Sequence, residues 1–154
     1  MVQYLDNNQS TQTIEQLRHV LSDTFVLYFK THSYHWNVTG VHFDTLHKLF
    51  GDQYTEMWEA MDDIAERIRA LGAYAPFTVA DIMKESDLSE TQNKISASEM
   101  VVDLAKGHEE ISKHIAKAIE IVSGCGDEVT ADLLIQRQTI HDKTAWMLNA
   151  TASE

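Results

Sequence analysis

Apolar and polar positions along this chain repeat with helical period and give no strand pattern. Ile14, Leu17, Leu21, Thr24, Tyr28, Thr31 and His35 alternate by three and four, which is the seam of a helix packed in a bundle. Thr13 with Gln16 has the form of a capping box. This predicts a first helix from near Thr13, preceded by a loose polar arm over residues 1–12, and failing where Asn37, Thr39 and Gly40 cluster. A second stripe runs through Leu46, Leu49/Phe50, Gln53, Met57, Ala60/Met61, Ile64, Ile68 and Leu71. It predicts a helix from Asp44, ended by Gly72, of about 28 residues and about 42 Å. Residues 73–88 carry Pro76 and no long period; within them 78–84 has room for two turns of helix. A third long helix is expected from Ser89, with Gln92 completing its capping box. Its seam is Val101, Leu104, His108, Ile111, Ile115, Ala118 and Val122, and Gly124-Cys125-Gly126 ends it. Asp127 can cap a fourth, with the stripe Val129, Leu133, Gln136, Ile140, Thr144 and Met147.

Four long helices with a long middle connection imply an all-α fold. The architecture expected is a four-helix bundle with one crossover that carries a short extra helix, as a single domain over residues 1–154. No segment approaches the apolar length of a membrane span, and the N-terminal residues lack the basic and apolar regions of a secretory signal. The single Cys125 fits a reducing compartment, so a cytoplasmic location is expected. The balance of 12 Lys+Arg against 24 Asp+Glu gives a formal charge of −12. That is a poor footprint for nucleic acid, which selects basic patches, and it suits a protein that draws cations or stays soluble at high abundance.

Candidate chemistry concentrates between Thr31 and Gly72, where two histidines, His35 and His47, flank a turn and two carboxylates, Asp62 and Glu66, follow one helical turn apart. Taken singly, each has an ordinary explanation: a hydrogen-bonded core histidine, a capping histidine, a solvated acidic face. Together, imidazole and carboxylate are the donor mixture that suits iron, with zinc or manganese as acceptable competitors. The chain has no paired cysteines for structural zinc, no glycine-rich phosphate loop and no serine elbow. Trp36, beside His35, is the aromatic expected near the site and a candidate electron donor. Met57 and Met61 and the remaining aromatics are read as packing.

Spacing sharpens this set. His47 and Asp62 stand 15 residues apart on one helix, which is about 22 Å of rise. One helix cannot bring both to one ion. Two copies related by a two-fold axis can, placing His35 and His47 of one chain opposite Asp62 and Glu66 of the other, with two equal sites per pair.

The text H-W-N-V-T-G-V-H-F-D-T-L-H-K-L-F followed by Y-T-E-M-W-E-A-M-D-D-I-A-E-R-I-R-A-L-G resembles the Dps family of mini-ferritins, as does G-D-E-V-T-A-D-L-L-I before the last helix. The resemblance implies a ferritin-like four-helix bundle and a hollow homo-dodecamer of 23 symmetry. It implies a ferroxidase that oxidises ferrous iron, preferentially with hydrogen peroxide, between two-fold-related subunits, and stores the ferric product as mineral. By the motif, His35 and His47 are the ligands from one subunit, Asp62 and Glu66 those from its partner, and Trp36 their neighbour. The family also has acidic ion pores near the start of the last helix, where Asp127 and Asp132 stand here and Gln136 replaces a further aspartate of some members. Asp52 and Glu56 are candidates for secondary iron positions.

Members that coat DNA often use lysine-rich tails. Residues 1–17 and Leu148–Glu154 contain no Lys or Arg here, and twelve chains multiply the acidic charge, so direct DNA binding is not expected. This disfavours the alternative of a non-catalytic DNA-binding nucleoid protein. A 24-subunit ferritin would instead place Glu-x-x-His pairs inside each bundle, a pattern missing from the inner positions.

Overall fold

A computed structural model describes residues 2–91 and 93–153. Among the described residues the chain forms five helices: α1 (Asn7–Asn37), α2 (Phe43–Ala70), α3 (Val79–Glu85), α4 (Ala97–Gly124) and α5 (Glu128–Ala152). α1 packs on α2 and on α4, α4 packs on α5, and α3 rests against α1. Short turns join α1 to α2 and α4 to α5, which makes each pair antiparallel. The connection from α2 to α4 carries α3 and spans the bundle, as the hydrophobic pattern anticipated. Gly72 and Gly126 take left-handed backbone, with φ of 96° and 79°, where α2 and α4 end.

Two helix starts differ from expectation by about two turns, in opposite directions. α1 begins at Asn7, with Asp6 and Gln9 forming the capping box and Thr13 buried inside the helix. The residues expected as a loose arm are held in place. The Val2 N–H donates to the Ala70 carbonyl at 3.1 Å, and the Tyr4 hydroxyl donates to Asp127 at 3.0 Å. α4 begins later than expected, at Ala97, capped by Ser96 and Glu99 in a second box. The crossover ahead of it is pinned by buried Leu88 and by the Tyr34 hydroxyl, which bonds Thr91 and donates to Asp103 at 2.6 Å. Gln92, the expected partner of the earlier cap, lies outside the described residues.

The core is built from Leu17, Leu27, Phe50, Met57, Ile64, Ile68, Leu104, Ile111, Ile115, Leu134 and Leu148, each no more than 2 % exposed. The expected seams of α2 and α4 face it. The seam of α5 does not follow the apolar stripe. Its buried positions are Thr130, Ala131, Leu134, Arg137, His141, Ala145 and Leu148, while Val129 and Met147 are exposed. The reason is that two polar side chains occupy the inner face. Arg137 pairs with Glu56 of α2, and His141 bonds His108 of α4, Nδ1 to Nδ1, at 2.9 Å.

Candidate metal centre

The short turn after α1 folds its last helical turn back against the start of α2. The Val38 N–H donates to the Tyr34 carbonyl at 2.9 Å, and Gly40, with φ of 116°, gives its carbonyl to the Phe43 N–H at 3.1 Å. This places His35 and His47 face to face, their rings stacked at 3.8 Å and 19°. Each ring donates through Nδ1–H to the backbone carbonyl of the other residue, His35 to His47 at 2.6 Å and His47 to His35 at 2.8 Å. A carbonyl can only accept, so the Nδ1 proton is fixed on both rings. In the neutral imidazole that leaves the Nε2 lone pair available, which is the way metal-binding histidines are commonly held. Gly51 underlies the pair: a Cβ there would stand 3.2 Å from Cε1 and Nδ1 of His35. His35 is half-buried toward α2 rather than in the centre of the core.

A ring cluster that the sequence reading overlooked supports the pair. His32 stacks on Tyr54 at 3.8 Å and 12°, meets Trp36 at 4.2 Å, and bonds the Tyr28 hydroxyl through Nδ1 at 3.0 Å. Burial, and then the nearby His35, lower its pKa below the ordinary histidine value. The available signal was its place three residues before His35, which puts both on one face of α1. Tyr28 also packs on Trp58 of α2 at 5.4 Å.

Asp62 and Glu66 are both exposed, far along α2 from His47. The helix is unbroken from Phe43 to Ala70, so the rise of about 22 Å between His47 and Asp62 stands. A single subunit brings the histidines together and keeps the carboxylates apart from them. On the same side, Trp36 and Trp58 are 58% and 60% exposed, large apolar rings of the kind that mark a surface covered in an assembly.

A family model for the ferritin-like domain matches residues 14–154. The chain is 38% identical over 139 residues to DNA protection during starvation protein 2 of Bacillus anthracis, covering 90% of this chain and 95% of that one. The crystal structure of Dps from Staphylococcus aureus superposes with a TM-score of 0.89 at 34% identity, over 92% of this chain and 95% of that one. Dps from Vibrio cholerae O1, described as a member of a broad superfamily of ferritin-like diiron-carboxylate proteins, gives 0.90 at 30% identity, over 95% and 92%. The chain belongs to the Dps family of ferritin-like proteins.

In this Dps chain the acidic residues expected at a pore are placed differently from one another. Asp127 is fully buried. Its carboxylate accepts from Arg67 at 2.9 and 3.1 Å, from Tyr4 at 3.0 Å, and from the Thr130 N–H and hydroxyl at 3.1 and 2.5 Å. Burial alone would raise its pKa; the Thr130 hydrogen bonds and the Arg67 guanidinium outweigh that and hold it below the ordinary carboxylate value. Its oxygens are thus occupied by protein donors. Asp132 is exposed, and Gln136 donates to its Oδ2 at 2.7 Å. The secondary positions are paired too: Asp52 with Lys48 at 2.6 Å, and Glu56 with Arg137.

The Arg137 guanidinium also donates to Nε2 of His141 at 3.2 Å. His141 therefore carries its proton on Nδ1 and donates it to Nδ1 of His108, whose own proton sits on Nε2. That Nε2 has no hydrogen-bond partner among the described residues. Burial, with Arg137 nearby, lowers the His108 pKa to about 3. Burial, His108 and Arg137 hold His141 well below the usual value. Among the described residues no helix is long and apolar enough to cross a membrane.

Proposed function

We propose that this Dps-family chain is a ferroxidase. In this reading it oxidises ferrous iron, with hydrogen peroxide as the preferred oxidant, and retains the ferric product inside a homo-dodecamer of 23 symmetry, in the cytoplasm. The observation that carries this reading is the His35–His47 pair, with both Nδ1 protons fixed by backbone carbonyls and both Nε2 lone pairs left to a metal. The pair is half of a site. Asp62 and Glu66 of the partner subunit complete it across a two-fold axis. Two carboxylates and two imidazoles balance the charge of one ferrous ion and suit both of its oxidation states.

Peroxide takes two electrons as its O–O bond breaks, one from each of two ferrous ions, and leaves as water or hydroxide. Pairing the electrons avoids release of hydroxyl radical. The protein contributes ligand geometry and access rather than a nucleophile. Trp36, close to His32 and on the exposed side of the pair, is the nearby reductant for any unpaired electron. Zinc competes for the same donors. Ferrous ions reach the interior past Asp132 rather than Asp127, whose carboxylate is already occupied. Direct DNA binding is outside this reading, because a chain with a formal charge of −12 repels a polyanion.

The decisive experiment is complementation. Dodecamers carrying His35→Ala with His47→Ala, and others carrying Asp62→Ala with Glu66→Ala, should each assemble at about twelve times the 17.5 kDa chain mass and each lack fast peroxide-driven oxidation. Dissociated, mixed and reassembled, the two should recover about a quarter of the wild-type rate, because half the two-fold pairs are mixed and each mixed pair regains one intact site of two. Full loss in the mixture would place the site within one chain. Full rate in either parent would remove those residues from it.

A further inference from the structure

A second cluster of metal-binding side chains lies away from the His35–His47 pair, where the crossover passes α1 and α4. One ring nitrogen of His19, one of His114 and one carboxylate oxygen of Asp87 all lie within 4.8 Å of one another. The three residues come from α1, α4 and the segment after α3. Their rings approach at 5.2 Å between centroids. Among the described residues this is the cluster of His, Cys, Asp and Glu side chains close enough to share an ion within one chain.

Asp23, fully buried beneath them, organises the group. Its Oδ1 accepts from the Ser86 hydroxyl at 2.8 Å and from the Asp87 N–H at 3.0 Å, which fixes the Asp87 backbone over α1. Its Oδ2 accepts from Nδ1 of His114 at 2.6 Å. Nε2 of His19 stands between two carboxylates, 3.4 Å from Asp23 and 3.3 Å from Asp87. Two negative groups therefore converge on two imidazoles, one carboxylate buried and the other, Asp87, largely in solvent.

The geometry points to a divalent transition-metal site formed by His19, His114 and Asp87, held in place by Asp23. Two nitrogens and one oxygen from three separate elements form the donor set that zinc and its neighbours in the first transition row favour. A divalent ion balances the charges of the two carboxylates, Asp23 and Asp87, that converge on the two rings. The exposed side of Asp87 leaves the ion a route in and room for water as a further ligand. Because the ligands join the crossover to α1 and α4, occupancy ties down the segment that carries α3. This site lies within one subunit and does not depend on the proposed ferroxidase reading.

The test uses Zn²⁺ as the probe, on the assembled protein carrying His35→Ala with His47→Ala so that the shared site cannot contribute histidine ligands. Calorimetric titration should find one zinc ion per chain. Adding His114→Ala, or separately His19→Gln, should weaken that binding by more than the about 10–100-fold that loss of an orienting neighbour costs a metal site. Circular dichroism and native mass check that each variant is folded and assembled. In parallel, crystals of the unaltered chain soaked in zinc should give an anomalous peak between His19, His114 and Asp87, a measurement that needs no variant. Unchanged zinc stoichiometry and affinity in both folded variants, or zinc-soaked crystals with no peak at these three residues, would overturn the assignment. Neither result bears on the complementation experiment, so the two readings fail separately.

Discussion

The buried His108–His141 pair should make this protein lose stability in mild acid, beginning above the range where carboxylates titrate. In the folded chain both rings are neutral, because burial disfavours the charged form and the Arg137 guanidinium beside them adds to that. The unfolded chain has no such restriction, and its histidines protonate at the ordinary value of 6.5. The folded pKa lies below the unfolded one, so unfolding takes up protons, and stability falls as pH drops from about 6.5 toward the folded value. From about pH 7.5 to about pH 4.5, with the folded value at about 3, His108 alone should cost on the order of 3 kcal/mol. His141 is shifted the same way and steepens the slope. That is a sizeable part of the about 5–15 kcal/mol that holds a typical domain together. Asp127, whose pKa is lowered, contributes stability that is lost only as pH falls below 3.8, so the histidine window is separate. The assay is denaturant unfolding followed by tryptophan fluorescence, at fixed subunit concentration across this pH range, on wild type and on His108→Gln. Glutamine keeps an acceptor for His141 and cannot protonate. The variant should show a markedly shallower pH slope, whatever its stability at neutral pH. Equal slopes in the two proteins would refute the neutral-pair assignment.

Two helical glycines give opposite predictions for the same change. Gly51→Ala should leave stability unchanged or raise it by up to about 1 kcal/mol, while its Cβ, 3.2 Å from the His35 ring, lowers iron affinity by about tenfold or more; melting and iron titration on one sample separate the effects. Gly107→Ala should be destabilising by about 1–3 kcal/mol despite the better helix former, because its Cβ would stand 2.6 Å from Cδ1 of Leu27 where α4 meets α1. Arg67→Met should lower the denaturation midpoint by the equivalent of about 3 kcal/mol, since it strips the guanidinium from the fully buried Asp127. A gel-shift assay at low salt without divalent cations should find no DNA retained at neutral pH, as the charge of −12 per chain requires.

What could be read from the sequence, and what could not, divides by the range of the interactions involved. The seams of α2 and α4 were visible because each helix buries an apolar stripe against its neighbours, and the period alone reports that. The starts of α1 and α4 were misplaced because two capping boxes stand near each one. Asp6–Gln9 precedes Thr13–Gln16, and Ser96–Glu99 follows Ser89–Gln92. Local chemistry accepts either member of each pair. Contacts far along the chain choose between them: Tyr4 and Val2 reach Asp127 and Ala70, and Tyr34 reaches Thr91 and Asp103. The inner face of α5 was hidden for a related reason. Arg137 and His141 look like surface residues until Glu56 and His108, on other helices, are placed beside them.

The candidate centre follows the same division, and that bears on its chemistry. His35 and His47 are twelve residues apart across one turn, so their pairing is a local event that the turn residues could signal. Their reciprocal bonds to each other's carbonyl, which fix the proton on Nδ1 of both rings, could not be read from sequence. Asp62 and Glu66 were legible as candidates only across a two-fold axis, because an unbroken helix holds them too far from His47 of their own chain. The structure keeps that separation and leaves Trp36 and Trp58 exposed. Under the proposed reading, a half-site with fixed tautomers costs no reorganisation when an ion arrives, whereas its other half is present only once a second copy docks. Under the proposed reading, metal affinity and subunit association are then linked: each must strengthen the other by the same factor. Ferrous or zinc ions should therefore raise the association of isolated two-fold pairs, and the His35→Ala, His47→Ala chain should assemble without responding to metal at that interface.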